Sequence, residues 1–403
     1  MKKILIISAL DIWSMGENKG APSLWYTLKG YADNEWKVYF ITGNKNRDSI
    51  YNVHKNIEIV RFDAQWIKKL FKIKKISFIA NAIWWLYFQI KSFLIGYKIT
   101  KKEKINVFYA YEITGALTVK ILSFIFHKPA ISRFQGTILA PWVGKKLWKI
   151  RLWQHILAFK TPVNLLIMAN DGTQGDQVLR HLRVNMNKVE FWTNGVNKDI
   201  YFPDFNKNNF KKELGIKNDE NILLTISRLE NWKKVDRILK AMPQIIKKHQ
   251  NFKLLIIGEG SERQNLENLA SKLQITAYVK FLGALPHQEL KKYYNLADIF
   301  ISLYDLSNVG NPLLEAMSCG KCIVTLDVGD TNKFIKNDEN GILIKQNELK
   351  KLPKIIIKLL RDDWKRKNLG NNAKEFADKH FWTWEKRIST EISAVNNLLK
   401  YNG

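Results

Sequence analysis

Two short apolar runs, at 299–303 and 322–326, bracket a turn-rich loop at 305–311 and a short helical segment that Gly320 closes. Runs this short and this apolar read as buried strands of an α/β fold. Asn311 is the expected N-cap and Pro312 the first helical residue. A helix N-terminus then faces the loop after a strand. Free backbone N–H groups and the positive end of the helix dipole make that place an anion site. Glu315 stands between Leu314 and Ala316 in the same segment. A carboxylate there does not bind a phosphate, but it can hold the hydroxyls of a ribose or a sugar. The plainer reading is a capping or solvated glutamate.

The same alternation occurs twice along the chain. A strand at 4–8 leads through a loop at 9–19 to Gly20, a helix with Leu24, Trp25 and Leu28 spaced for burial, and a strand at 38–42. Further strands are expected at 107–110 and 165–169, with Asp171 and Thr173 capping the helix that follows. Around 203–218 the chain turns polar, as a linker does. The pattern then restarts with a strand at 221–227, an amphipathic helix at 235–246, a strand at 254–257, a helix at 263–273, a strand at 279–282, and the opening unit. Two doubly wound units are implied, each with its own core, facing across a cleft at the carboxyl ends of their strands. There is no G-x-G-x-x-G for a dinucleotide. Arg228 and Lys233, in the first loop of the second half, are two cations able to pair with a diphosphate.

The 403 residues carry a net charge of +28, a field that attracts nucleic acid, anionic membrane or phosphorylated substrates. The net positive charge concentrates in the first half. Lys68, Lys69, Lys72, Lys74 and Lys75 precede Trp84 and Trp85, and no acidic residue occurs between Glu112 and Asp171. Inside that second stretch lie Lys145, Lys146, Trp148, Lys149 and Trp153. Lysine mixed with tryptophan favours the headgroup region of a membrane. The apolar core at 76–90 is too short to span a bilayer, which needs about 20 residues. No nucleic-acid signature accompanies the charge, so no nucleic-acid partner is expected. Cys319 and Cys322 form a lone C-x-x-C, short of a zinc site and more in keeping with a buried turn. Without a disulfide framework a reducing cytoplasm is the expected compartment.

Several stretches together resemble one family. They are Asn194-Gly195-Val196, Ser227-Arg228-Leu229 with Lys233, Ile256-Ile257-Gly258-Glu259-Gly260, Val279-Lys280-Phe281-Leu282-Gly283, the stretch from Asn311 to Gly320, and Asn340-Gly341-Ile342-Leu343. The second half resembles the donor-binding half of GT-B glycosyltransferases of family 4, the glycosyl transferases group 1. The resemblance implies the GT-B fold, α/β, with two Rossmann-like domains: 1–203 on the acceptor side, with a closing helix at 382–403 packing back on it, and 204–381 on the donor side. It implies retaining transfer from a nucleoside diphosphate sugar, UDP or GDP, with no cofactor and no metal; the chain has no Asp-X-Asp. Arg228 and Lys233 would stabilise the departing diphosphate. Gly20, Gly258, Ser307, Gly310, Asn311, Leu313, Leu314 and Glu315 would surround the donor. Two positions depart from the family's pattern. Ser307 stands where its first glutamate is expected, and Gln135 where its first-domain histidine is expected. Gln135 can hydrogen-bond but cannot act as a base.

The expected protein is a cytoplasmic enzyme held peripherally at the inner face of the cell membrane. It would add a sugar to a lipid-linked saccharide acceptor in cell-surface polysaccharide assembly. The alternative is a catalytically impaired GT-B protein serving as a membrane-bound assembly partner.

Overall fold

The computed structural model describes residues 1–10, 22–43, 54–64, 66–67, 77–197, 200–202 and 205–401. It divides into two compact units. The first comprises 1–170, 174–193 and 384–403, and the second 171–173 and 194–383.

In the first unit β1 (Lys3–Ser8), β2 (Lys37–Thr42), β3 (Ile57–Arg61), β4 (Val107–Tyr111), β5 (Ala130–Phe134), β6 (Leu165–Ala169) and β7 (Val189–Trp192) form one parallel sheet. Their order is β3-β2-β1-β4-β5-β6-β7. Side chains of a strand alternate between faces, and here both faces are dry. Leu5 and Ile7 enter one apolar cluster while Ile4 and Ile6 enter another. The second unit repeats the plan with β8 (Asn221–Ile226), β9 (Phe252–Ile257), β10 (Val279–Phe281), β11 (Ile299–Ser302), β12 (Cys322–Leu326) and β13 (Ile342–Ile344). Their order is β10-β9-β8-β11-β12-β13. Leu223 and Leu224 of β8 again point into separate clusters. In each sheet the order reverses beside its first strand, which opens a crevice at the carboxyl ends of the strands.

Four strands escaped the sequence reading: β3, β5, β7 and β13. β3, β7 and β13 are edge strands, and β3 and β7 are only partly buried, so their patterns are weak. β5 carries Arg133 in its middle, which breaks the apolar run although the residue is fully buried. Three local expectations are also corrected. The stretch expected as a linker contains the helix Lys207–Glu213, capped by the Asn206 side chain and anchored by buried Phe210. The helix Gly175–His181 starts from Gln174, without a side-chain cap from Asp171 or Thr173. The apolar segment expected at 76–90 is one helix, Ser77–Glu103. Its stretch Phe78–Glu103 is long and apolar enough to cross a membrane by length and composition. It packs on the helix Ala116–Phe126 and on β2 and β1, with 33% of its most apolar part buried.

The buried Arg133 has a specific partner. The C-terminal helix Trp384–Tyr401 lies on the helix Pro22–Asp33, with Trp384 stacked on Tyr26 at 4.4 Å. That helix brings Glu391, which is fully buried, to the sheet. Arg387 donates to it at 2.8 Å, Arg133 lies at 3.5 Å, and the Tyr109 and Tyr31 hydroxyls donate at 2.8 and 3.3 Å. Burial pushes the Glu391 carboxyl up, but Arg387 and Arg133 outweigh it and hold the group below the usual carboxylate range. Removing one member of such a cluster strands the others in a dry interior. Glu391→Ala is therefore expected to cost about 3–5 kcal/mol of stability, read as a lower urea midpoint. A loss under about 1 kcal/mol would show the cluster to be a bystander.

Candidate functional site

At the carboxyl end of β8 the chain turns through Arg228 into a short 3-10 turn, Asn231–Lys233. Gly258, at the end of β9, makes this possible. Its φ is +134°, and a Cβ there would sit 1.8 Å from the Ser227 carbonyl oxygen. Only glycine permits that approach, so the expected role of Gly258 resolves into shaping the loop. The turn sets the Lys233 ammonium between two rings, 4.1 Å from the centre of Trp232 and 4.0 Å from that of Tyr304. The Arg228 guanidinium lies 5.8 Å from the same tryptophan and is exposed. Burial pushes the Lys233 ammonium down to about 7, Arg228 pushes the same way, and Asp171 opposes them. The aromatic faces favour the charged form.

The loop from β11 to the helix Asn311–Ser318 supplies the Tyr304 side of the Lys233 environment. Tyr304 donates its hydroxyl to the Ile226 carbonyl at 2.9 Å, and the Asp305 amide donates to the Trp232 carbonyl at 3.0 Å. The helix is capped by Gly310, one residue before the expected Asn311. A Cβ at Gly310 would make only ordinary contacts, 3.7 Å from Pro312 Cδ and from the Ser307 carbonyl oxygen. The amides available to an anion are fewer than expected. Leu313 and Leu314 both donate to the Gly310 carbonyl, at 3.0 and 3.3 Å, and Pro312 has no N–H. Their side chains are core residues. Asn311 compensates. Its Oδ1 accepts from Asn194 at 3.0 Å, while its Nδ2 is buried and has no partner among the described residues.

Glu315 is neither solvated nor a cap. It is 2% exposed, and its Oε1 lies 2.7 Å from His287 Nε2. The Tyr294 hydroxyl beside it is pushed well up, by burial first and by Glu315 second. Ser307 is half-buried and donates to the Asp171 carboxylate at 2.7 Å. Sequence reasoning thus missed His287 and Asp171. The one signal for Asp171 was its place as the first acid after the long stretch that has none. Gly20 lies outside the described residues. In the first unit Gln135 donates its amide N–H to Glu112 and its side-chain Nε2 to the Tyr111 hydroxyl, each at 2.8 Å. Among the described residues no three His, Cys, Asp or Glu side chains gather as a metal site.

The candidate membrane residues separate into two groups. Trp84, Trp85 and Trp148 are buried, which corrects the expectation that they face lipid; Trp153 is half-buried and packs edge-on against Trp85 at 5.0 Å. Large rings had more apolar contact to gain inside. Lys145, Lys146 and Lys149 are exposed, whereas Lys68, Lys69, Lys72, Lys74 and Lys75 lie outside the described residues. The exposed apolar residues include aromatic ones, Phe78 at 51% and Trp142 at 36%, but the most regular set is aliphatic. Ile79, Ile83, Leu86, Ile90 and Leu94 form one stripe along Ser77–Glu103, and Phe124, at 72%, is exposed on the neighbouring helix. Lys91, Lys98, Lys101 and Lys102 are exposed on the same long helix.

Comparison with known proteins gives these features a context. Residues 206–376 match the family model described as glycosyl transferases group 1. An uncharacterized glycosyltransferase of Methanocaldococcus jannaschii is 33% identical over 199 residues, 48% of this chain and 51% of that protein. The chain thus spans about half the length of that relative. A second from the same organism is 24% identical over 88% of each chain. A GDP-mannose-dependent phosphatidylinositol monomannoside mannosyltransferase of Corynebacterium glutamicum is 29% identical over 43% of this chain and 47% of its own. Among solved structures, a sucrose-phosphate synthase from Thermosynechococcus elongatus superposes with a TM-score of 0.81 at 18% identity over the whole of both chains. Anabaena HepE, solved with UDP, gives 0.72 at 18% identity, over 98% of this chain and 100% of its own. At such identity the likeness is one of fold.

The Lys233 environment makes a prediction about stability. Its ammonium is held near 7 in the folded chain, below the ordinary 10.5. Below about pH 7 folding buries a charge, and the full penalty applies. Between that pH and the ordinary value the folded state sheds the proton while the unfolded state keeps it, so stability rises with pH. The stability gain of Lys233→Met over the parent should therefore be largest near pH 6 and shrink toward pH 10. Urea unfolding across that range checks it, and a gain independent of pH contradicts it.

Proposed function

We propose that this chain, a GT-B glycosyltransferase whose residues 206–376 are those of the glycosyl transferases group 1 family, moves a sugar with retention from a nucleoside diphosphate sugar to a lipid-linked saccharide acceptor. The observation that carries the donor half of this reading is the pair Arg228 and Lys233 on a loop that meets, through Lys233 on Tyr304 and Trp232 on Asp305, the loop leading to the N-terminus of Asn311–Ser318. Leaving of a diphosphate develops negative charge. Preorganised cations and a helix N-terminus stabilise that charge more in the transition state than in the ground state. Asn311, with an unpartnered Nδ2, is suited to a phosphate or sugar oxygen. Glu315, fixed by His287 and 2% exposed, supports the helix from within and does not meet the donor directly. UDP or GDP is the proposed nucleotide, and no step requires a metal if the two cations carry the leaving group.

The acceptor half rests on the first unit. An aliphatic stripe with lysines beside it suits a helix that lies in the headgroup region of an anionic membrane. The Corynebacterium relative, named for a phosphatidylinositol monomannoside substrate, supports an acceptor of lipid type. The reading therefore locates the enzyme at the cytoplasmic face of the cell membrane, in cell-surface polysaccharide assembly. A second reading, a non-catalytic assembly partner, is motivated by Ser307 and Gln135; it predicts nucleotide binding without transfer.

Three measurements test these statements. Thermal shift against UDP-, GDP-, ADP- and dTDP-sugars identifies the donor, because a ligand of the folded state raises the melting temperature. With that donor, Arg228→Ala and Lys233→Met should each lower kcat by about 10²-fold or more; unchanged turnover removes both from the site. For the membrane, the parent protein should float with anionic vesicles at low salt. The double variant Leu86→Glu, Phe124→Glu should remain below them, and equal flotation of the two would remove the stripe from the interface.

A further inference from the structure

The loop that delivers the helix Asn311–Ser318 is fastened along its length. Arg237 donates to the Leu303 carbonyl at 2.7 Å and to Asp305 at 2.6 Å. The Asn308 side chain donates to the Tyr304 carbonyl at 2.9 Å and accepts from the Tyr304 amide at 3.2 Å. Between these anchors Ser307 has a φ of 59°, the left-handed conformation. A serine remains there only where surrounding structure holds it. Its hydroxyl donates to Asp171 Oδ2 at 2.7 Å.

Asp171 belongs to a three-residue segment, 171–173, that groups with the second unit. The segment is bound to that unit at several points. The Val309 amide donates to the Asp171 carbonyl at 3.1 Å, and the Asp330 amide to the Gly172 carbonyl at 3.0 Å. The second oxygen of the carboxylate, Oδ1, accepts the Thr173 hydroxyl at 2.5 Å and its amide at 3.2 Å. The carboxylate is 7% exposed and both of its oxygens are engaged by the protein. A group so occupied is ill placed to hold a substrate hydroxyl or to attack a sugar. It is well placed to fix other groups.

We infer that Asp171 is a positioning residue of the anion site, holding Ser307 in its left-handed turn and keeping its carboxylate against the loop whose Tyr304 packs on Lys233. The inference rests on the donor-binding reading above and deepens it. Geometrically, the Ser307 bond sets where the loop leaves for Gly310 and Asn311, and hence where the helix N-terminus points. Electrostatically, Asp171 draws the Lys233 proton back against burial and against Arg228. Among the described residues the other groups near that ammonium supply no second counter-charge. Tyr304 is neutral, its hydroxyl pushed up to about 12 by burial. Asp305 is turned to Arg237 and Lys234, at 2.6 and 3.8 Å. The position at 307, which on the family's pattern would carry a carboxylate, has a serine that takes one from Asp171.

Three substitutions separate the two roles. Ser307→Ala removes the anchor and keeps the charge; Ser307→Gly removes the anchor but tolerates the left-handed turn; Asp171→Asn keeps the size and removes the charge. Calorimetric binding of UDP and GDP to the full chain, from about pH 6 to pH 9, reads all three. Ser307→Ala should weaken nucleotide binding about tenfold. Ser307→Gly should come back to within about threefold of the parent. Asp171→Asn should move the pH at which binding falls by about one unit lower, a shift that a merely structural role would not produce. Should Asp171→Asn fail to fold, the contrast between the two Ser307 variants decides. A parent chain that binds neither nucleotide overturns the donor reading and this inference with it. A parent that binds, with all three variants matching it in affinity and pH midpoint, overturns the inference alone.

Discussion

A parallel strand that is apolar on both sides must be covered on both sides, and covering it requires a helix between each strand and the next. That requirement organises both units of this chain. Leu223 and Leu224, neighbours on β8, go to opposite apolar clusters, as do Leu5 and Ile6 on β1. The crossover helices then bring every strand out in the same direction. Loops that leave the carboxyl ends therefore gather along one edge of each sheet, and the reversal of strand order opens a gap there. In the second unit the β8 loop with Arg228 and Lys233 and the β11 loop with Tyr304 to Gly310 meet in that gap.

The site assembled there holds an electrostatic tension. Lys233 loses hydration between Trp232 and Tyr304, and it has Arg228 on the same side of the balance. Asp171 offsets part of this without ending it. An anion with two charges would complete the compensation, and binding would then draw a proton onto Lys233 near neutral pH. A site arranged in this way is costly to leave empty of an anion. It differs from the arrangement around Glu391, where two guanidiniums and two tyrosines already surround one carboxylate. That second cluster is closed and holds the C-terminal helix to the first sheet; around Lys233 the opposing charges are left unequal.

Much of this was legible in the residues. Unbroken apolar runs identified the central strands, and the restart of the pattern after about half the chain implied two units. The segment 311–320, set beside Arg228 and Lys233, pointed to a diphosphate-bearing ligand. What stayed hidden were groups whose meaning depends on distant partners. Arg133 interrupts β5 and reads as a surface residue until Glu391 arrives from the far end of the chain. Asp171 reads as a helix cap, yet its partner is Ser307. The tryptophans of 84–153 read as membrane anchors, and most went inside because a ring buries more apolar area in a core than in headgroups.

The sequence by itself determined the alternation of strand and helix, the two-unit plan, the family resemblance and the excess of net positive charge in the first half. These are encoded in spacing and residue type, which act locally. Tertiary structure decided which carboxylate opposes Lys233, which partner holds Glu315, which amides the helix end leaves free and which apolar residues face out. Each of those depends on burial and on contacts between residues far apart in the chain, and neither is a property of a local stretch.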